Sequence, residues 1–274
     1  MGKESKPIRK DQKGDSGFSR GRILEKYGWE LTAFPVGVIL LIGLWAVITL
    51  IGDYPPFILP DPGSVFMEIK KNMANGLLWL HVQATLVEMA GGLVIGLSAA
   101  TILGYIFAKS PFLERLMGPY IVASQSIPAV AIAPLLIIWF GTGKISKVLI
   151  CALVVFFPVL INTIVGIRSV DKGLMTLMRS LNASRWQTFT MLEVPSAMPV
   201  LLGGLKIGVT LSVIGAVVGE FVGADHGLGY LINLAKGLFN TSLMFAALIS
   251  LAIISLCLYL IVTGLEKWML KWRG

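Results

Sequence analysis

The sequence predicts an all-α integral membrane protein with about six transmembrane helices. Of its 274 residues, 55% are apolar and only 14% are charged, and stretches such as 36–51 and 148–166 carry no charge at all. A helix needs about 20 mainly apolar residues to cross a hydrocarbon layer of roughly 30 Å. Six segments satisfy this requirement, near residues 34–52, 84–108, 116–140, 147–167, 198–222 and 241–265.

Residues 1–30 precede the first span as a basic tail, and residues 31–274 form the transmembrane domain. The tail is rich in lysine, arginine, glycine and serine, a composition that predicts disorder. It has neither the apolar core nor the small-residue cleavage site of a signal peptide. We therefore expect the first span to stay attached as a membrane anchor.

The placement of lysine and arginine predicts that both termini are cytoplasmic, because basic loops stay on that side during insertion. In this orientation the cytoplasmic side holds 18 of the 23 basic residues, eight of them before Tyr27. The opposite side holds only Lys70, Lys71, Lys144, Lys147 and Lys236. The net charge of +8 is then explained by topology and by attraction to anionic lipids, and no role in nucleic-acid binding is needed.

A short helix is predicted on the outer side, between the first and second spans. Asp61 is placed to cap it and Pro62 to occupy its first position. Its apolar residues fall on one face, namely Val65, Phe66, Ile69 and Met73. Lys70 and Lys71 would then face water. The helix could serve as a docking platform for another protein, or it could simply lie on the lipid.

The third predicted span contains two prolines, Pro128 and Pro134, each of which removes a backbone donor and disturbs the helix. In a membrane such a break is tolerated where neighbours or a cavity satisfy the freed carbonyl groups. The span is therefore either a broken helix that lines a pathway or an ordinary helix with a packing kink. Gln125 and Ser126 favour the pathway, since polar groups inside spans are costly unless they are paired or hydrated.

Charged residues inside the spans are few, and Glu88 and Glu220 are the two to be explained. Glu88 falls at a depth where an ionised carboxylate needs a cavity or a partner, which indicates a functional or subunit-interface role. Glu220 precedes a glycine-rich stretch that includes Gly227 and forms either an outer gate or a plain outer loop. Asp225 and His226 in this stretch are interpreted as solvated residues. Cys151 and Cys257 lie in apolar spans as small apolar residues, so no disulfide or metal site is predicted.

The segment 176–195 is a polar helical pair between long apolar spans, on the predicted cytoplasmic side. Its first helix carries a stripe of leucine and methionine, which we expect to pack on the membrane domain, and it ends at Asn182, a residue that tolerates the left-handed conformation. Ser184 and Gln187 have the spacing of a capping box, and Pro195 is expected to stop the second helix after roughly 10 residues. The second helix is predicted to present Arg185, Trp186, Phe189 and Thr190 outward to a partner protein. The alternative is an amphipathic interfacial helix that lies on the lipid.

This segment resembles the coupling loop of the permease subunits of ABC importers. That loop has the pattern Glu-Ala-Ala, three residues, Gly, nine residues, Ile-x-Leu-Pro, and the spacing here matches it in full. The Glu-Ala-Ala positions hold Thr176-Leu177-Met178, the Gly position holds Asn182, and the end holds Leu192, Val194 and Pro195. The resemblance implies that this loop contacts an ATPase. The residues predicted for the contact are Thr176, Arg179, Asn182, Ser184, Arg185, Trp186, Phe189 and Pro195.

Further blocks resemble one branch, the permeases of nitrate, sulfonate, taurine and thiamine-precursor importers. They are Leu59-Pro60-Asp61-Pro62, Ser126-Ile127-Pro128, Trp139-Phe140-Gly141-Thr142-Gly143, Phe157-Pro158-Val159 through Thr163, Gly219-Glu220-Phe221 and Gly227-Leu228-Gly229-Tyr230. The resemblance implies a multi-pass protein of the bacterial inner membrane. Two permease copies would form the pathway, cytoplasmic ATPases would bind ATP and Mg²⁺, and an extracytoplasmic protein would deliver the substrate.

The chain itself carries no catalytic motif, since no glycine-rich loop followed by Lys-Ser/Thr is present to cradle phosphates. It is therefore predicted to be a transport subunit without a cofactor of its own and not an enzyme. The alternative is a stand-alone secondary transporter or channel. Few basic residues lie deep in the spans, which disfavours nitrate and favours a small organic solute, either sulfonate-like or a heterocyclic vitamin precursor.

Overall fold

A computed structural model describes residues 18–271, which consist of helices joined by turns and short irregular segments, with no strand within that range. The helices are α1 (Phe18–Gly52), α2 (Pro62–Ala74), α3 (Leu77–Lys109), α4 (Pro111–Gln125), α5 (Ala129–Phe140), α6 (Lys144–Arg168), α7 (Lys172–Ser180), α8 (Arg185–Thr188), a π-helical turn (Phe189–Glu193), α9 (Val194–Gly223), α10 (Leu228–Gly237) and α11 (Thr241–Met269). The chain divides into two units, Met1–Tyr54 and Pro55–Gly274.

The first unit contains α1, whose part Pro35–Gly52 is long and apolar enough to cross a membrane. The helix begins at Phe18, within the segment for which the sequence predicts a disordered tail. Residues 1–17 of that tail lie outside the described residues. The domain boundary near residue 30 stays a prediction.

The core of the second unit is a three-helix packing of α3, α6 and α9, with α6 in contact with both of the others. Small residues let these helices approach closely, as is common in membranes. A Cβ added at Gly92 of α3 would lie 2.4 Å from the Cys151 Cβ, and one at Gly215 of α9 would lie 2.6 Å from the Cys151 Cα. The buried Cys151 of α6 thus packs as a small residue between two glycines, and its thiol is free.

The helix α10 is short but largely buried between α9 and α11. Leu228, Leu231 and Ala235 have no exposed surface, and they share an apolar cluster with Leu243 and Ala247 of α11. The stretch after Glu220 is therefore more than a plain outer loop. It turns back at residues 224–227 and continues as a helix of the core.

The third predicted span is broken. Helices α4 and α5 meet at an angle of 94° across a three-residue break, and Pro128 immediately precedes α5 while Pro134 lies inside it. Among the described residues, five unbroken helices are long and apolar enough to cross a membrane, and the bent pair brings the number to six. The break favours the first of the two alternatives from the sequence, and the lining of a pathway by this segment stays a prediction.

Helix α2, which the sequence predicts on the outer side, begins at the expected residue. The Asp61 carboxylate accepts a hydrogen bond of 2.9 Å from the Ser64 backbone N–H, and Pro62 is the first helical residue. Val65 is buried, whereas Phe66 and Met73 are exposed. Helix α2 packs against α11 and α3, and the predicted common apolar face stays a prediction for Phe66 and Met73.

Candidate functional site

The polar segment after α6 folds into two short helices joined by a tight turn. Helix α7 is capped at its start by Asp171, whose side chain accepts from the Leu174 N–H at 2.9 Å. At its end Asn182 adopts the left-handed conformation, with φ of 52°. The N–H groups of Asn182 and Ala183 bond back to the carbonyls of Arg179 and Met178, both at 3.0 Å. The turn is therefore fixed by its own hydrogen bonds, as Asn182 predicts.

The capping box is present at the start of α8. The Ser184 hydroxyl accepts from the Gln187 backbone N–H at 3.2 Å, and the Gln187 side chain accepts from the Ser184 N–H at 2.7 Å. Thr176, which stands at the acidic position of the loop pattern, donates its hydroxyl to the Lys172 carbonyl at 3.0 Å. The hydrogen bond within α7 thus occupies the Thr176 hydroxyl hydrogen.

The predicted burial of the α7 stripe was wrong. Helix α7 has no buried residue, and Leu174, Leu177 and Leu181 are all exposed. Trp186 on α8 is 71% exposed. An amphipathic helix with an unpartnered apolar stripe and an exposed tryptophan is typical of a surface that a partner protein covers.

The second helix does not stop at Pro195, so this prediction was also wrong. Residues 185–223 run as one continuous helix through the π-helical turn Phe189–Glu193. Within this turn the Val194 N–H bonds to the Phe189 carbonyl, one residue further back than in an α-helix. The wider turn accommodates a proline that lacks an N–H and would crowd the preceding turn of a regular helix. Helix α8 is consequently joined to α9 without an interruption.

A buried carboxylate, Glu193, joins this π-helical turn to α3. Its oxygens accept a hydrogen bond of 3.0 Å from the Tyr105 hydroxyl and form an ion pair with the Lys109 ammonium. Phe189 packs edge-on against Tyr105 with ring centroids 5.2 Å apart, so it is partly turned inward and does not face outward as predicted. Sequence reasoning missed Glu193, although an acidic residue at the unspecified position of the loop pattern was a visible signal.

Glu220 and the turn before α10 form a second, buried polar site. The Thr85 hydroxyl donates to Glu220 Oε1 at 2.6 Å, and the Gly229 N–H donates to Glu220 Oε2. In the same turn the Gly227 N–H donates to His81 Nδ1 at 3.0 Å, and the Leu228 N–H donates to Thr85 Oγ1 at 2.8 Å. These bonds pin the turn between α9 and α10 to α3.

Gly227 is required at this turn for two reasons. Its φ is 122°, which residues with a Cβ rarely adopt, and an added Cβ would lie 2.2 Å from the Glu220 Cδ. The glycine thus allows the backbone to approach the buried carboxylate. This is the physical basis of the Gly-Leu-Gly sequence that follows Glu220.

Glu88 lies beside this turn with only partial compensation for its charge. Its carboxylate is 1% exposed, and the Lys147 Nζ lies 3.6 Å from Oε1. Glu88 Oε2 has no hydrogen-bond partner within the described part of the chain. The Glu220 carboxyl is its immediate neighbour. Lys147, which the sequence assigns to the outer side, is 5% exposed and lies on the first turn of α6.

Of the six predicted pathway residues, Glu88 lines one of two cavities and Gln125 and Pro128 line the other, while Ser126, Glu220 and Gly227 line neither. Glu88 lines a cavity of about 460 Å³ between α3, the start of α6 and the turn before α10, together with Lys147, Lys144, Asp225 and His226. Gln125 and Pro128 line another of about 260 Å³ at the break between α4 and α5. Ser126 is not part of that wall, and its hydroxyl faces the Val122 carbonyl at 3.4 Å.

The described residues contain no group of three or more His, Cys, Asp and Glu side chains that could hold a metal ion. Asp225 and His226 are exposed, and the His226 ring lies 6.1 Å from the His81 ring. The polar chemistry of this end of the molecule therefore rests on carboxylate, ammonium, hydroxyl and backbone groups.

Long apolar helices that enclose polar and charged cavities are typical of a membrane transport protein. Residues 92–271 match the family described as the inner membrane component of binding-protein-dependent transport systems, and the chain belongs to this family. It is thus a transport permease subunit, and the predicted ABC importer permease is confirmed over the stand-alone transporter.

Similar proteins support this assignment over nearly the whole chain. The riboflavin transport system permease protein RibX of Chloroflexus aurantiacus is 46% identical, covering 93% of this chain and 95% of that protein. The formylaminopyrimidine transport permease protein ThiX of Halalkalibacterium halodurans is 34% identical, covering 86% of this chain and 93% of that protein. The chain also resembles the MetNI methionine ABC transporter in an inward-facing conformation, with a TM-score of 0.57 and 21% identity over 69% of this chain and 93% of that one. That likeness concerns the fold alone.

Proposed function

We propose that this chain is the permease of an ATP-driven bacterial importer for a heterocyclic vitamin or vitamin precursor, with a flavin as the first candidate. The observation that carries the proposal is the 46% identity to a riboflavin permease over 93% of the chain. A second relative is named for a pyrimidine, also a heterocycle, at 34% identity. The relatives named for aliphatic sulfonates are less similar, such as SsuC of Bacillus subtilis at 32%.

In this proposal two copies of the chain form the pathway in the inner membrane, with both termini in the cytoplasm. Cytoplasmic ATPase subunits bind ATP and Mg²⁺ and contact α7 and α8, while an extracytoplasmic protein delivers the solute. The exposed Leu177 and Trp186 support the ATPase contact, because a large apolar side chain at the centre of an exposed helix pair is a typical anchor of an interface.

The continuous helix 185–223 supports a mechanical route from the ATPase to the pathway. A push on α8 reaches α9 through the π-helical turn and reaches α3 through the buried Glu193. Since α3, α6 and α9 form the packed core, such a push tilts the core as a unit. The two copies would then alternate between outward and inward openings.

The experiment is uptake in a bacterial strain that cannot synthesise riboflavin and lacks its own flavin importer. The strain receives the permease with its partner ATPase and binding protein, and a control strain receives the same set without the permease. We expect growth at low external riboflavin only with the complete set. Growth on an aliphatic sulfonate as sulfur source, with no flavin uptake, would overturn the assigned substrate class.

The coupling surface has its own test. Replacing Trp186 with aspartate places a charge in the centre of the proposed contact, so we expect normal membrane insertion but loss of the ATPase from the purified complex. Trp186→Phe is the matched control, because it keeps a large apolar ring at the same exposed position and should leave the complex assembled. Full assembly and coupled transport with Trp186→Asp would contradict the assignment.

A further inference from the structure

Two buried carboxyl groups lie in contact beside the turn between α9 and α10. Glu88 of α3 and Glu220 of α9 are each 1% exposed, and their carboxyl groups are within hydrogen-bonding reach of each other. No described residue donates a hydrogen bond to Glu88 Oε2. Carboxylates only accept hydrogen bonds, so two ionised groups in contact repel each other. The contact is therefore favourable only when a proton lies between them.

The charges around the two glutamates lead to the same conclusion. Within the described part of the chain, Lys147 is the only buried lysine or arginine, and its Nζ lies 3.6 Å from Glu88 Oε1. One ammonium balances one carboxylate, so a second negative charge would lack compensation if both glutamates were ionised. A buried charge without a partner is costly, and a carboxylate avoids this cost by taking up a proton.

The other ionisable groups around the pair supply no further buried positive charge. The His81 ring accepts a hydrogen bond at Nδ1 from the Gly227 N–H, so this nitrogen carries no proton and the ring is neutral. The Cys151 thiol donates to the Ser212 carbonyl at 3.3 Å and is therefore uncharged. Tyr230 of α10 is a phenol, which has no cationic form. The remaining charged groups at the cavity are exposed to solvent, namely Lys144, Asp225 and His226.

The hydrogen bonds to Glu220 indicate which of the two groups carries the proton. Glu220 Oε1 accepts from the Thr85 hydroxyl at 2.6 Å, and Oε2 accepts from the Gly229 N–H in the first turn of α10. Donors of this kind stabilise a carboxylate, and so does the start of a helix. Glu88 has no such donor, because the Lys147 ammonium at 3.6 Å lies beyond the usual length of a hydrogen bond. Glu220 is thus the better anion and Glu88 the better acid.

We propose that Glu88 is a neutral carboxylic acid whose Oε2–H donates to the Glu220 carboxylate, and that this buried hydrogen bond positions the turn between α9 and α10. The proton converts Oε2 from an acceptor without a donor into a donor with an acceptor. Glu220 in turn holds the Gly229 N–H, while Thr85 accepts from the Leu228 N–H at 2.8 Å. Glu88 is a positioning residue, because it acts on the turn through Glu220. This role does not depend on which solute is carried.

The first test is infrared spectroscopy of the purified transporter at neutral pH, since a protonated carboxylic acid has a C=O stretching band separate from that of a carboxylate. Difference spectra against each variant identify the band. We expect it to disappear in Glu88→Gln and also in Glu220→Gln, because either variant leaves one carboxylate for one ammonium. It should persist in Lys147→Met, and in the matched control Glu266→Gln, which alters an ion-paired glutamate of α11.

The second test is hydrogen–deuterium exchange at the backbone amides of residues 227–230. Glu88→Met keeps the approximate size of the side chain but has no donor, so these amides should exchange about 10- to 100-fold faster. Glu88→Gln retains a donor in its side-chain amide, and we expect it to restore exchange to within about twofold of the unmodified protein. Glu266→Met is the matched control and should leave these amides unchanged.

The outcomes separate the two parts of the proposal. An acid band that is absent from the unmodified protein, or that survives in Glu88→Gln or Glu220→Gln, overturns the shared proton. Equal exchange in Glu88→Gln and Glu88→Met overturns the positioning role. If Glu88→Met does not assemble, exchange in Glu88→Gln decides, and a tenfold acceleration there contradicts the role. Neither measurement uses transport, so absence of riboflavin uptake would overturn the proposed function and leave this inference standing.

Discussion

The ion pair between Lys109 and Glu193 predicts an unequal response to the removal of its two partners. The Glu193 side chain is 4% exposed, whereas that of Lys109 is 38% exposed. When Glu193→Gln removes the carboxylate, the lysine ammonium still reaches solvent, and the glutamine can still accept from the Tyr105 hydroxyl. When Lys109→Met removes the ammonium, a charged carboxylate stays buried with the Tyr105 hydroxyl as its remaining described partner.

The magnitudes follow from burial. Loss of the charge at Glu193 should cost about 1 kcal/mol of the free energy of unfolding, since the exposed lysine is solvated and the hydrogen bond from Tyr105 survives. Loss of Lys109 should cost about 3–5 kcal/mol, the usual cost of an uncompensated buried charge. The double variant Lys109→Met with Glu193→Gln leaves no buried charge, so we expect a smaller loss than for Lys109→Met alone.

The assay is thermal unfolding of the purified permease in detergent. For a chain of this size about 1 kcal/mol corresponds to roughly 3 °C in Tm, so the single variants should differ by roughly 10 °C. The control is the pair of Arg168 and Glu114, whose side chains are 37% and 34% exposed, so that Glu114→Gln should change little. Equal Tm values for Lys109→Met and Glu193→Gln, or a double variant no better than Lys109→Met, would refute the reasoning.

Three further predictions concern turns and caps. Asn182→Val should cost about 1–2 kcal/mol because φ is 52°, while Asn182→Gly should change Tm little, as thermal unfolding would show. Gly227→Ala should cost about 3 kcal/mol or more, from backbone strain and the clash with Glu220, and lower the yield of folded protein on size-exclusion chromatography. Asp61→Ala should cost about 1 kcal/mol at neutral pH. Hydrogen bonds from Ser64 hold the pKa of Asp61 below its usual 3.8. The ionised cap therefore stabilises the protein fully above that pH, and its contribution is lost as pH falls through the lowered pKa. Thermal unfolding of both proteins at neutral pH and at a pH below the lowered pKa checks this.

The spans and the turn chemistry could be predicted from the sequence because both are local. Uninterrupted apolar runs define the spans, and the capping box of Ser184 with Gln187 needs only a spacing of three residues. The left-handed Asn182 follows from the residue type. The resemblance to the coupling loop likewise depends on spacing along the chain, and the family match confirms the class that it implied.

The sites that were missed depend on contacts between residues that are distant in the sequence. Glu193 lies 84 residues from Lys109 and 88 from Tyr105, so no local pattern predicts which residues pair with this acidic side chain. Charge counting predicts the side of the membrane on which Lys147 lies, but it gives no sign that this lysine is buried beside Glu88. These pairings become visible only when α3 is packed against α6 and against the π-helical turn before α9.

Two predictions from local sequence patterns were wrong, namely the end of the helix at Pro195 and the burial of the apolar stripe of α7. Pro195 commonly ends a helix, but the π-helical turn before it shifts the hydrogen-bond register and lets the helix continue. The stripe of α7 has a helical period that normally indicates burial, yet Leu177 is exposed in the single chain. An apolar period shows that one face of a helix packs against another surface. It does not show whether that surface belongs to the same chain or to a partner protein.

The most direct test of the central proposal is solute accumulation in proteoliposomes that contain the permease with its partner ATPase and receive the loaded binding protein. We predict that riboflavin accumulates against its gradient with ATP and Mg²⁺, that a non-hydrolysable ATP analogue does not support accumulation, and that Trp186→Asp abolishes it. Riboflavin accumulation by the permease alone, or accumulation that continues without ATP hydrolysis, would contradict an ATP-driven importer coupled through α7 and α8.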